Sequence, residues 1–411
     1  MREKQKKSDL APIVTNHRVI ICVGSGGVGK TTTAAAIALW GALTGRRTAV
    51  VTIDPAKRLA DCLGIEAGNV EGTLVKPEAF QAYGLHPQGS LTALLVDQSK
   101  AWDAAIARYA PTEEIRDQIL ANRFYQGLSR TFAGSHEYIA LDTLASLVQQ
   151  GTYDLVVVDT PPIRHTLDFL EAPQRLQRFL DSRARKWFIR SPASGGWSML
   201  SAVNKTTTFL LRKIEEATGI SALAEISEFF TTMQGMFDDF GERFQRVSAL
   251  LASDETAFFL VTTLEEDILT EAKRFLNGLE RLNISPKAII FNRVHEESTT
   301  MKLHEQDRST LAEQLCHTLE IPGKTPLAIE WLIENFFTYQ TLAHTEAIRH
   351  KNFSRQLPEG MLFLRVPILP TFPGDMSGLV SLHPYLFPAA DKRKQRRTKE
   401  IAAITAKNGR H

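Results

Sequence analysis

Gly24-Ser25-Gly26-Gly27-Val28-Gly29-Lys30-Thr31 is the stretch on which the fold turns. It meets every fixed position of the phosphate-loop pattern G-x-x-x-x-G-K-[ST]. Before it stands Arg18-Val19-Ile20-Ile21-Cys22-Val23, a β-branched run that reads as a buried strand. After it, Thr32 to Leu43 is rich in Ala and Leu and reads as a helix. Glycines let backbone N–H groups approach phosphate oxygens, and the following helix N-terminus adds partial positive charge. The pattern makes residues Gly24, Ser25, Gly26, Gly27, Val28, Gly29, Lys30, Thr31 and Thr32 the expected nucleotide cradle. Lys30 is expected on the β- and γ-phosphates of ATP and the Thr31 hydroxyl on Mg2+.

Two carboxylates end later strands. Thr48 to Ile53 reads as a strand leading into Asp54-Pro55-Ala56. Asp54 has two readings: it orients or deprotonates the attacking water, or it caps a helix that opens at Pro55. Tyr153 to Asp159 is a second such strand, of the Walker-B type, which puts Asp159 on the metal side of the loop. Its alternative is a second helix cap. Further strands are expected at Ala257–Thr262, Lys287–Phe291 and Met361–Val366. Between about residues 63 and 150 helical patterns dominate, at Leu91–Tyr109, Thr112–Leu120 and Glu137–Val148. Residues 165–252 read as helical again. Within them Leu223, Ile226, Phe230, Met233, Phe237, Phe240, Phe244 and Val247 recur at helical spacing, with Phe229 and Met236 widening the stripe. That stripe is either packed core or an apolar client surface. Residues 295–356 read as a further helical stretch with Trp331, Leu332, Phe336 and Phe337 in its core.

Composition sets bounds. The chain has 411 residues and a net charge of +2, so no global field points to nucleic acid. No apolar run is long enough for a transmembrane segment, and the basic start Met1 to Ser8 has no signal-peptide core after it. The expected place is cytoplasmic. Cys22, Cys62 and Cys316 form no zinc spacing; they are small buried or surface thiols, or together a soft metalloid site. The run Arg183 to Arg190 around Trp187 and Phe188 reads as a solvated helix with its aromatics packed inward rather than a nucleic-acid surface.

In this order the motifs resemble those of the ArsA family of ATPases, which includes the tail-anchored-protein-targeting ATPases. The resemblance spans about residues 17 to 380. Asp54-Pro55-Ala56 is similar to the family's switch I, whose Asp positions the hydrolytic water. Gly134-Ser135-His136-Glu137 resembles its short G-x-x-E segment, and Asp159 to Leu167 resembles switch II. Glu265 and Asn292 fall where the family has a Glu near nucleotide at the dimer interface and an Asn that reads adenine. Val366-Pro367-Ile368-Leu369-Pro370, and with it Pro367, resembles the loop that closes over the base. Two departures stand out. Ser25 occupies the position of the family's intermolecular lysine, which leaves Arg164, Lys57 and Arg58 as candidate replacement cations. The zinc C-x-x-C of the targeting branch is absent from the sequence.

The resemblance implies an α/β P-loop NTPase fold, with a mostly parallel sheet flanked by helices and an inserted helical subdomain. The expected division is a basic lead-in at 1–16, a nucleotide-binding domain at 17–63, 151–166 and 253–383, a helical subdomain at 64–150 and 167–252, and a disordered basic tail at 384–411. The implied function is a Mg2+-dependent ATPase that couples ATP binding and hydrolysis to movement of a helical partner-binding subdomain. The resemblance admits a homodimer and a hydrophobic client or membrane-protein partner. Two alternatives stay open: the ATPase subunit of an arsenite or antimonite pump, and an ATP-gated binding or scaffold protein with little hydrolysis.

Overall fold

The computed structural model describes residues 8–52, 58–65, 72–96, 98–131, 135–162, 166–167, 170–171, 222–297, 307–320, 326–358, 360–370 and 374–388. Their strands are β1 Val19–Val23, β2 Arg47–Thr52, β3 Thr73–Leu74, β4 Ser90–Leu95, β5 Leu155–Asp159, β6 Thr256–Thr262, β7 Ala288–Val294 and β8 Leu362–Pro367. All eight join one sheet in the order β3-β4-β2-β5-β1-β6-β7-β8. Every neighbouring pair is parallel except β3 with β4 at the edge. The central strands read VIICV, LVVVD and TAFFLVT and are buried along their whole length. Such near-continuous apolar runs belong to strands covered on both faces.

The two-residue period of a strand sorts these side chains into two cores. Val19, Ile21 and Val23 pack with Val156, Val158, Phe258 and Leu260 on one face. Ile20 and Cys22 pack with Val157, Phe259 and Val261 on the other. The Ile20 face is covered by α1 Ala11–Asn16, α2 Lys30–Leu43, α3 Arg58–Leu63 and α4 Pro77–Gln81. The Ile21 face is covered by α5 Gln98–Tyr109, α6 Glu113–Ala121, α7 Arg123–Thr131, α8 Ser135–Gln150, α9 Ala222–Thr232, α10 Phe237–Ala252 and α11 Glu266–Arg281. Next, α12 Asp307–Thr318 and α13 Leu327–Ser354 pair through Cys316, Ile329, Ile333 and Phe337. The last helices, α14 Met376–Ser381 and α15 His383–Leu386, return to the Ile20 face.

Within the helical layer one buried carboxylate acts as a tie. Asp142 of α8 accepts hydrogen bonds from the Tyr109 hydroxyl at 3.1 Å and from Arg108 at 3.1 Å, both on α5, and from Arg243 of α10. Four residues separate α8 from β5, and Arg18, just before β1, donates to the Val148 carbonyl at 2.9 Å. The end of α8 is thus fixed to the sheet.

Several expectations are corrected. Leu91–Leu95 is not the start of a helix but part of β4, in register with β2 from Thr48↔Leu91 to Thr52↔Leu95, and the helix that follows it begins at Gln98. Within the lead-in, Leu10 and Val14 are buried in the Ile20-face core. Residues 384–388 belong to the packed chain. Leu386 and Phe387 are buried, and the Phe387 ring stacks on Trp40 of α2 with centroids 4.3 Å apart. On α13 the inward face is Ile329, Ile333 and Phe337, so Trp331 is 69% exposed and Leu332 is 48% exposed. In the stripe that begins at Leu223, Phe229, Phe230, Met233, Met236 and Val247 are buried in the Ile21-face core. For those members the packing reading holds.

Candidate nucleotide site

The carboxyl ends of β1, β2 and β5 lie side by side. Cys22 of β1 is in register with Asp159 of β5, and Thr52 of β2 is in register with the same residue. This end of a parallel sheet is where α/β folds bind ligands. The loop from Gly24 to Gly29 leaves β1 there and enters α2 at Lys30. Gly29 caps α2 with φ 98°, in the left-handed region that favours glycine. Gly26 and Gly27 are exposed, while Ser25, Val28 and Lys30 are buried. The fourteen-residue α2 therefore presents its N-terminal amides beneath an accessible glycine turn, a ready anion site.

The loop is braced from behind by three consecutive elements. A Cβ at Gly24 would lie 2.1 Å from the Val261 carbonyl oxygen of β6, so only glycine fits that crossing. The Ser25 hydroxyl donates to Glu271 Oε2 of α11 at 2.8 Å. The Asn292 amide of β7 donates to the Val28 carbonyl at 2.8 Å. Inside the loop, the Lys30 ammonium donates to the Ser25 carbonyl at 2.9 Å. Lys30 thus spans the loop with its charge held at the cradle.

Asp159 is 1% exposed at the end of β5. Its Oδ2 accepts from the Thr31 hydroxyl at 2.6 Å and from the Thr52 hydroxyl at 3.0 Å. Thr31 and Asp159 are oxygen donors in direct contact beside the anion site. That donor chemistry fits a hard divalent cation such as Mg2+ and not a soft metal. Cys22 lies in the same neighbourhood. Burial, with a contribution from Asp159, pushes its thiol far up, so it stays neutral. Thr160 follows Asp159 and ties the chain to β1 by donating to the Cys22 carbonyl at 2.9 Å.

The structure gathers Gly24 to Thr32, Asp159 and Asn292 around one point. Glu265 is exposed at the N-cap of α11, where its Oε1 accepts from Thr263 at 3.4 Å. Pro367 ends β8 opposite Val294 of β7. Arg58, a candidate replacement cation, is exposed at the start of α3. Asp54, Lys57, Arg164, Gly134 and the basic run Arg183 to Arg190 lie outside the described residues. Sequence reasoning passed over Thr52 and Glu271. The signal for Thr52 was its place, a hydroxyl at the end of a strand beside the loop. Glu271 carries no local signal, because its partner is 246 residues away.

The sequence matches known proteins. The family model for ArsA ATPases, described as anion-transporting ATPase, matches residues 17–316. The chain belongs to the ArsA ATPase family. An ATPase GET3 of Malassezia globosa is 27% identical over 276 residues, covering 67% of this chain and 72% of that protein. A putative arsenical pump-driving ATPase 2 of Aquifex aeolicus is 25% identical over 352 residues, covering 84% of this chain and 100% of that protein. An ATPase ASNA1 homolog of Cryptosporidium parvum is 24% identical over 339 residues, covering 81% of each chain. This ArsA ATPase is accordingly an ATP hydrolase, and its loop and sheet are those of a P-loop NTPase. Among the described residues no helix is long and apolar enough to cross a membrane.

Proposed function

We propose that this ATPase uses ATP binding and hydrolysis at the Gly24–Thr32 loop to change the arrangement of the helices around α5, α8 and α10, and that these helices form the partner-binding part of the molecule. The observation that carries this is a continuous connection. Asp142 locks α5, α8 and α10 together, and α8 runs through residues 151–154 into β5, whose last residue, Asp159, holds the Thr31 hydroxyl. A change of ligand at Thr31 and Asp159 therefore has a short path to the helical layer.

At the site, water attacks the γ-phosphate. The loop amides and Lys30 bind and orient the phosphates and neutralise charge as it develops. Thr31 and Asp159 would hold Mg2+, which supplies further charge neutralisation on the phosphate oxygens. Asp54 is assigned the orientation of the attacking water, Asn292 contact with the base, Glu265 approach to nucleotide across a dimer, and Pro367 the closing loop. These roles, a homodimeric working unit, a hydrophobic client or membrane-protein partner and a cytoplasmic place of action rest on the family resemblance. The helical subdomain is read as residues 98–150 and 167–252.

The cysteines favour this reading over an arsenite or antimonite pump subunit. Cys22 is sealed inside β1, and burial also raises the Cys62 thiol. Cys316 belongs to a separate cluster between α12 and α13. The three thiols are thus divided between two cores.

Hydrogen exchange of the full chain tests the coupling, with ADP and with a non-hydrolysable ATP analogue, Mg2+ present in both. The expected result is a difference in exchange at 98–131, 135–150 and 222–252 between the two nucleotides, lost in Lys30→Ala. Identical exchange in those helices, with nucleotide bound in both samples, would overturn the reading.

A further inference from the structure

We infer that Glu271 is a positioning residue for the phosphate loop, acting on Lys30 through Ser25. Two hydrogen bonds and the burial of the residue between them carry this. Glu271 Oε2 accepts from the Ser25 hydroxyl at 2.8 Å, the Ser25 carbonyl accepts from the Lys30 ammonium at 2.9 Å, and Ser25 itself is 3% exposed. A hydroxyl bonded to a carboxylate is a charge-assisted contact, stronger and more directional than a neutral one. It fixes the side chain of residue 25 and with it the peptide whose carbonyl receives Lys30. The neighbouring residue has no freedom to compensate, because Gly24 is pressed on the Val261 carbonyl, where a Cβ would come within 2.1 Å. Residues 24 and 25 are therefore held by β6 and by the helix that follows it, α11.

This assigns a use to the residue at position 25. Its side chain points into its own chain, to α11, and not outward toward another subunit. The serine serves as the joint between α11 and the ammonium that binds phosphate. Orientation of Lys30 then depends on where α11 sits relative to β1. Glu271 touches neither substrate nor reacting atoms. Its effect is on the geometry of Lys30, passed on through the Ser25 hydroxyl and carbonyl.

The inference rests on the assignment of phosphate binding to this loop, and the test separates the two. Steady-state ATP hydrolysis with Mg2+ is measured for wild type, Ser25→Ala, Glu271→Ala, the double variant, Glu271→Gln and Lys30→Ala, with the thermal midpoint of each. Ser25→Ala and Glu271→Ala should each lower kcat/KM about tenfold. The double variant should also be down about tenfold rather than about a hundredfold, because both substitutions break one link. Glu271→Gln keeps a side-chain oxygen to accept the hydroxyl and should recover to within about threefold of wild type. Additive losses in the double variant, no recovery with Gln, or single variants that keep wild-type turnover would each overturn the inference while leaving the loop's assignment intact. A Glu271→Ala chain that melts early while Ser25→Ala is fully active would overturn it as well, since the role would then be structural. Wild-type turnover in Lys30→Ala would overturn the loop assignment and the inference with it.

Discussion

At residue 24 a single missing methyl group decides whether the loop can form. The Gly24 Cα faces the Val261 carbonyl so closely that an added Cβ would lie 2.1 Å away. No rotamer relieves that clash, because the obstacle is backbone. Gly24→Ala must push β1 from β6 or displace the loop. It should cost about 2 kcal/mol, in the range of overpacked cores, and weaken ATP binding at the same time. Thermal unfolding and nucleotide titration check both effects; an unchanged midpoint with unchanged affinity would contradict the crossing described here. The motif made Gly24 visible in the sequence, but the reason for it was not. That reason lies in β6, more than two hundred residues on, as does the Glu271 that holds Ser25. Short-range pattern carries the phosphate chemistry, whereas the braces that position it come from tertiary packing and leave no local mark.

At the scale of elements, the apolar runs at Val19–Val23, Leu155–Val158, Ala257–Val261 and Ala288–Phe291 were legible because strands covered on both faces read as near-continuous apolar stretches. The strand Ser90–Leu95 was not. Its SLTALL sequence has the composition of a helix, and pairing with β2 overrides that propensity. The helix Leu327–Ser354 offered two apolar faces, and only packing against α12 selects Ile329, Ile333 and Phe337 over Trp331 and Leu332. The closing segment is a third case. Its Leu386 and Phe387 sit next to a strongly basic tail in the sequence, yet they close the core over α2, and the amide of Leu10 donates to the Leu386 carbonyl at 3.0 Å. Phe387→Ala should therefore destabilise the sheet domain by about 3 kcal/mol. It removes a ring that is 1% exposed and stacked on Trp40. Urea unfolding monitored by the Trp40 environment reads this directly. A midpoint within error of wild type would place Phe387 outside the core.

At the scale of the molecule, the sheet carries a separate packed layer on each face. The Ile20-face layer is short, Ala-rich at α2 and tied down at both ends of the described chain. Its helix α2 opens directly from the phosphate loop. The Ile21-face layer is a larger set of helices joined by the Asp142 tie, and it reaches the same site through β5. On the reading proposed above, this second layer is the one that responds to the nucleotide. The central claim is that ATP is hydrolysed at this loop, with Lys30 on the phosphates and Asp159 on the metal side. The most direct test is Mg2+-dependent ATP turnover of the full chain, for wild type, Lys30→Ala and Asp159→Asn. Lys30→Ala removes a charge-assisted contact of about 1.5–3 kcal/mol, roughly a ten- to hundredfold effect. The account predicts turnover that needs Mg2+ and falls at least tenfold in each variant, with Asp159→Asn partly restored by raising Mg2+. Turnover that is independent of Mg2+ or unchanged in both variants would contradict it.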